Sequence, residues 1–123
     1  MSRSILDGLA QALHLAGDTH NLDDLQEQLE DGDAQWWQAP GTDSCIITEL
    51  VVFPRRRVVR YWLAAGELAP VLELQPAIDD WARRQGATHA VLEGRRGWER
   101  LLPRWGWRAR AIAMYKELGE PGQ

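Results

Sequence analysis

Apolar positions recur at helical spacing from the start of the chain. Ile5, Leu9, Ala12, Leu13 and Ala16 fall on one stripe, Ser2 or Ser4 can cap it, and Gly17 supplies the stop, so an amphipathic helix is predicted over 3–16. A second stripe of Leu22, Leu25 and Leu29 follows Thr19 or Asn21 as possible caps. Asp23, Asp24 and Glu27 lie in its positive first turns, and Gly32 ends it. The texture then changes. The run 34–38 (AQWWQ) is short and aromatic and leads into the turn-forming APGTDS, while 44–53 (SCIITELVVF) and 57–65 (RVVRYWLAA) are rich in β-branched residues. Pro54-Arg55-Arg56 between the last two predicts a hairpin. After Gly66 the helical period returns at Leu68, Val71, Leu72, Ile78, Trp81 and Ala82 and runs to Gly86, with Pro76 forcing either a kink or a restart. A short strand (88–93), a two-turn helix (97–105) and a final half-exposed strand (Trp107–Leu118) complete the reading.

The order is helix, helix, three strands, helix, strand, helix, strand. A strand–helix–strand unit over 57–93 requires a parallel pair, whereas the hairpin requires an antiparallel one. The expected fold class is therefore α/β with a mixed sheet flanked by helices. With 123 residues the chain fits one domain, expected over 1–118, followed by a frayed tail at 119–123.

Charge adds one feature. Residues 1–50 hold one basic and ten acidic side chains, net −9, and 51–123 hold 13 basic and eight acidic, net +5. Either the acidic helices neutralise the basic sheet, or the basic part meets phosphates or an acidic partner. Composition otherwise excludes more than it selects. At 45% hydrophobic and 26% charged the chain has the makings of a core, and no apolar run is long enough for a membrane helix. A lone Cys45 builds neither an internal disulfide nor a cysteine zinc site, and the histidines lack ligand spacing, so no metal is expected. Arg55, Arg56, Arg57 and Arg60 could meet nucleic-acid phosphates, or they form a charged turn that protects sheet edges; no nucleic-acid motif accompanies them.

The C-terminal third carries a more specific pattern. A helix ending in Trp81-Ala82-Arg83-Arg84-Gln85-Gly86, then a strand, then Leu101-Leu102-Pro103-Arg104-Trp105-Gly106-Trp107 and a close on Lys116-Glu117-Leu118 resembles the GNAT (N-acetyltransferase) superfamily. Gly17-Asp18-Thr19-His20, Gln35-Trp36-Trp37, Ile47-Thr48-Glu49, Phe53-Pro54-Arg55, Leu63-Ala64-Ala65-Gly66 and Gly94-Arg95-Arg96-Gly97-Trp98 are together similar to small GNAT-like proteins of tailed phages and prophages.

The resemblance implies a site. In that superfamily an Arg/Gln-x-x-Gly-x-Gly/Ala loop after the fourth strand holds the diphosphate of acetyl-CoA through backbone amides. The matching residues are Leu63, Ala64, Ala65, Gly66, Glu67 and Leu68. One glycine stands in place, the Arg/Gln is absent, Glu67 brings a negative charge, and Pro70 lacks a donor. The family's proton-donating Tyr aligns with Leu102, which has no proton to give. Glu49 is the candidate base, and Arg95 and Arg96 are candidate contacts for an anion or a partner. The degenerate loop favours a non-catalytic role, and the resemblance to phage-type members implies its setting: an interaction, virion-associated or assembly accessory component that meets other phage or host proteins in the host cytoplasm or the virion. The alternative is an acetyl-CoA-dependent N-acetyltransferase acting on a primary amine.

Overall fold

The computed structural model describes residues 2–94 and 97–122. The chain divides into two compact units, Met1–Leu92 and Glu93–Gln123.

The first unit begins with α1 (Arg3–Leu15), which starts where Ser2 Oγ accepts the Ile5 N–H at 3.1 Å. At α2 (Leu22–Asp31) the cap is Asn21. Its side chain accepts the Asp24 N–H at 2.8 Å and its own N–H donates to Asp24 Oδ2 at 2.9 Å, so two orphan donors are satisfied reciprocally. Strands β1 (Gln35–Gln38), β2 (Cys45–Phe53) and β3 (Arg56–Ala65) follow. Helices α3 (Leu68–Glu73) and α4 (Gln75–Arg84) then lead to β4 (His89–Leu92). Pro76 sits in the first turn of α4, where its missing N–H would have had no helical partner anyway, so the chain restarts at that point.

The sheet order is β1-β2-β3-β4, antiparallel at the first two junctions and parallel between β3 and β4. One irregularity governs its interior. Ile47 pairs with Leu63 and Thr48 with Tyr61, so β3 carries one extra residue, Trp62, as a bulge. In a regular strand Trp62 and Leu63 would face opposite ways. Here both join the buried cluster of Ile5, Leu9, Leu13, Leu25, Ala34, Cys45 and Ile47 under α1 and α2. Burying a residue such as Leu9, Leu25 or Ile47 completely contributes about 1.5–3 kcal/mol.

A polar chain threads β1 and β2. Trp37 Nε1 donates to Thr48 Oγ1 at 3.0 Å, Thr48 donates to Gln35 Oε1 at 2.9 Å, and the Trp37 ring meets the Trp81 ring of α4 edge-on at 5.5 Å. Thr48 is fully buried, so each of these groups needs the other.

In the second unit, α5 (Trp98–Leu101) passes into a 3₁₀ turn at Leu102–Trp105 that ends at Gly106, φ 90°. The alternation over Trp107–Leu118 predicts a fifth strand, and the structure contains none there. Ile112, Met114, Tyr115 and Leu118 are 86–90% exposed. The pattern explains the failure: one face is largely alanine (Ala109, Ala111, Ala113), while Ile112 and Met114 fall in phase with Arg108 and Arg110, so neither face offers a large apolar stripe.

Replacing Thr48 by Val keeps the shape but strands the Trp37 N–H and the Gln35 carbonyl. Urea unfolding should show a loss of about 1–3 kcal/mol, against less than about 0.5 kcal/mol for Val52→Thr at the exposed end of the same strand.

Candidate functional site

The candidate loop begins where β3 loses its neighbour. β4 pairs with β3 from Val58 to Tyr61 only, so Trp62–Ala65 continue with β2 on one side and, among the described residues, no strand on the other. The bulge falls at that point of divergence. A strand edge opened in this way can receive an extended ligand.

Beyond it, the six residues of the predicted cofactor loop separate. Leu63 is buried in the core under α1. Ala64 is exposed opposite Ile46, and Ala65 pairs with Cys45 so close to α1 that a Cβ on Gly8 would lie 3.0 Å from its own. Gly66 has φ 101°, and a Cβ there would lie 2.5 Å from Ser44 Cα and 2.7 Å from Ser44 Oγ. The space beside the glycine is thus occupied by the chain's own serine. Ser44 Oγ accepts the Glu67 N–H at 2.9 Å and lies 3.4 Å from the Glu67 carbonyl, to which it can donate. Glu67 caps α3 without a side-chain bond, and Pro70 contributes no N–H. Leu68 and Ala69 hold the first-turn amides that remain.

Ser44 is the residue that sequence reasoning did not find. It is 1% exposed and sits one position before β2. The only signal was its place at the end of a turn-rich stretch, which gives no hint of a contact across 23 positions.

Glu49 lies on β2 opposite Arg60, and its Oε1 accepts from Arg60 Nη1 at 2.8 Å. Arg60 also lies 5.8 Å from the Trp62 ring centroid. The candidate base is therefore engaged by a cation on the neighbouring strand. On the other face the Tyr61 hydroxyl donates to Asp79 Oδ1 of α4 at 2.7 Å. Burial first, then that hydrogen bond and the Asp79 charge, hold the phenol protonated far above its ordinary range. Arg95 and Arg96 lie outside the described residues. Among the described residues no group of three His, Cys, Asp or Glu side chains could hold a metal ion, and no helix is long and apolar enough to cross a membrane.

No family model matches the chain, and no curated protein matches it in sequence. Solved structures do match in fold. An acetyltransferase of Trypanosoma brucei is 13% identical with a TM-score of 0.67, covering 96% of this chain and 96% of that one. A GCN5-related N-acetyltransferase from Ralstonia eutropha JMP134 is 18% identical with a TM-score of 0.67, over 94% of this chain and 91% of that one. A further structure, described as a probable acetyltransferase, is 12% identical with a TM-score of 0.64, over 94% and 89%. The chain has the fold of the GNAT acetyltransferases: a mixed sheet flanked by helices, as its sequence pattern predicts.

Two measurements probe this end of the sheet. Gly66→Ala forces a side chain onto the Ser44 backbone at a positive φ, and the expected loss in a denaturant melt is about 2–4 kcal/mol. Burial lifts the Cys45 thiol from 9.0 to about 11, against a smaller opposing effect of the Ala65 amide. The native state thus keeps a proton that the unfolded chain gives up. The stability this confers is complete below pH 9 and declines between pH 9 and about 11, by ~1.4 kcal/mol per pH unit. Cys45→Ala should flatten that part of the stability–pH curve.

Proposed function

We propose that this protein uses the GNAT fold as a protein-binding unit and that its loop no longer holds the diphosphate of acetyl-CoA. The observation that carries this reading is the Ser44 hydroxyl on the Glu67 amide. A diphosphate cradle needs several convergent N–H donors and room for phosphate oxygens beside the glycine. Here one donor is engaged, Pro70 supplies none, and Ser44 fills the room at Gly66. The loop also carries Glu67, and at ~4 Å in surroundings of effective dielectric 20–80 each like-charge pair costs about 1–4 kcal/mol. The residues present do not fit the group. The phage-type motifs around Trp36, Thr48 and Gly94 support a setting among phage or host proteins, as a virion or assembly component.

A second reading has an observation of its own. The acetyltransferase fold and the open edge of β3 past Tyr61 favour an N-acetyltransferase acting on a primary amine, with Glu49 as the base that accepts the amine proton.

Titration with acetyl-CoA separates the two. The expected result is no saturable heat and no shift of the melting temperature up to millimolar ligand. Stabilisation that grows with ligand concentration would establish the enzyme reading instead. The setting has its own check: the protein should copurify with phage particles, and its recovery only as free protein from infected-cell lysate would count against a virion role.

A further inference from the structure

The hairpin between β2 and β3 ends in an unusual surface. Val52 is 66% and Phe53 53% exposed, and Pro54, Arg55 and Arg56 are exposed beside them. The register pairs Phe53 with Arg56 and Val52 with Arg57, so each apolar side chain shares a face with a guanidinium. Arg57 is engaged, donating to the Gln85 carbonyl at the end of α4 at 2.5 Å. Among the described residues the ion pairs involve Arg60, Arg83 and His14, and neither Arg55 nor Arg56 has one. The tip is thus a small apolar surface with two uncompensated cations.

The opposite charge lies at the other end of the ladder. Leu25 of α2 packs in the cluster with Cys45 and Ile47, and Phe53 lies six positions further along the strand than Ile47, about 20 Å away. Around α2, Asp24, Glu27, Asp31 and Asp33 line an open depression of about 440 Å³. Its lining includes Gln28, whose Oε1 is buried with no donor among the described residues. The physiological screening length is about 8 Å, so the acidic end of one copy barely acts on the hairpin tip of the same copy.

We propose that the Val52–Arg57 tip of one copy docks on the acidic α2 face of a second copy, giving a head-to-tail contact of guanidinium–carboxylate pairs around the apolar Val52 and Phe53. The complement is carried by the chain itself. Nucleic acid and anionic membrane fit less well, because a body of net charge −4 repels both. Such a contact uses two different surfaces, so it builds rings or filaments. It stands independently of the acetyl-CoA titration.

Sedimentation velocity on the full chain tests it. At about 0.02 M salt the average mass should rise with protein concentration, and at about 0.5 M it should fall to the monomer. Arg55→Glu/Arg56→Glu and, separately, Glu27→Lys/Asp31→Lys, which leave the Asn21–Asp24 cap intact, should each weaken association at least about tenfold, with circular dichroism unchanged. Mixing the two reversed variants should restore a complex, because each then presents a surface complementary to the other. Phe53→Ser should weaken association without removing its salt dependence. A monomer at every concentration in low salt would overturn the proposal, as would association indifferent to the hairpin reversal. Binding of the tip to duplex DNA or phosphatidylserine vesicles by a protein that stays monomeric would also overturn it and assign the tip to that surface.

Discussion

Gly66 and Ser44 approach so closely that no side chain fits between them, and this contact sets where β3 stops and how α3 starts. With no side chain of its own to cap it, α3 is tied to the sheet through the Ser44 hydroxyl, which engages the Glu67 amide. The same amide cannot serve a ligand without breaking that bond. A neutral hydrogen bond is worth about 0.5–1.5 kcal/mol net, so its loss alone would not exclude a diphosphate. The Glu67 charge and the missing Pro70 donor add to it. Together they amount to a few kcal/mol, which is two or more orders of magnitude in affinity. The proposed loss of cofactor binding rests on that combination.

The bulge at Trp62 is the second constraint. By adding one residue to β3 it lets consecutive side chains, Trp62 and Leu63, enter the same core, and it occurs where β3 and β4 part. The far end of the same ladder is left without that cover, which is why Val52 and Phe53 stay in water. One irregularity in register thus separates a buried end, with the α1 and α2 core, from an exposed end at the hairpin tip.

Much of this was legible in the sequence because it is local. Helix stripes, the interruption at Pro76 and the hairpin each follow from spacing within a dozen residues, the mixed sheet follows from the order of elements over 57–93, and the resemblance agreed with the fold except in the terminal strand it implied. What escaped was long-range or negative. The Ser44–Glu67 bond spans 23 positions, and the extra residue in β3 depends on how two strands pair, which period-two reading cannot detect. Trp107–Leu118 shows the converse. Alternation permits a strand but does not supply the partner that a ladder requires, and a face of alanines buries too little to hold one in place. Of the candidate site, the loop was found by resemblance, while the serine that occupies it was invisible.

The charge division between the two parts of the sequence admitted two explanations, internal neutralisation or a partner. Among the described residues no ion pair joins an acidic residue of α1 or α2 to an arginine of the sheet; the pairs are His14–Asp18, Glu49–Arg60 and Arg83–Asp80, each between close neighbours. Exposed pairs of this kind contribute at most about 1 kcal/mol, so they do not account for a net −9 and a net +5 on successive stretches. Stability does not require the polarity either, since the core that joins α1, α2 and the sheet is apolar. Among the described residues only the Glu49–Arg60 pair joins the two stretches, so most of the charge on α2 and on the hairpin tip faces outward. Charge placed this way supplies orientation and salt-dependent attraction to whatever meets the surface, which is the physical basis of the proposed contact between copies.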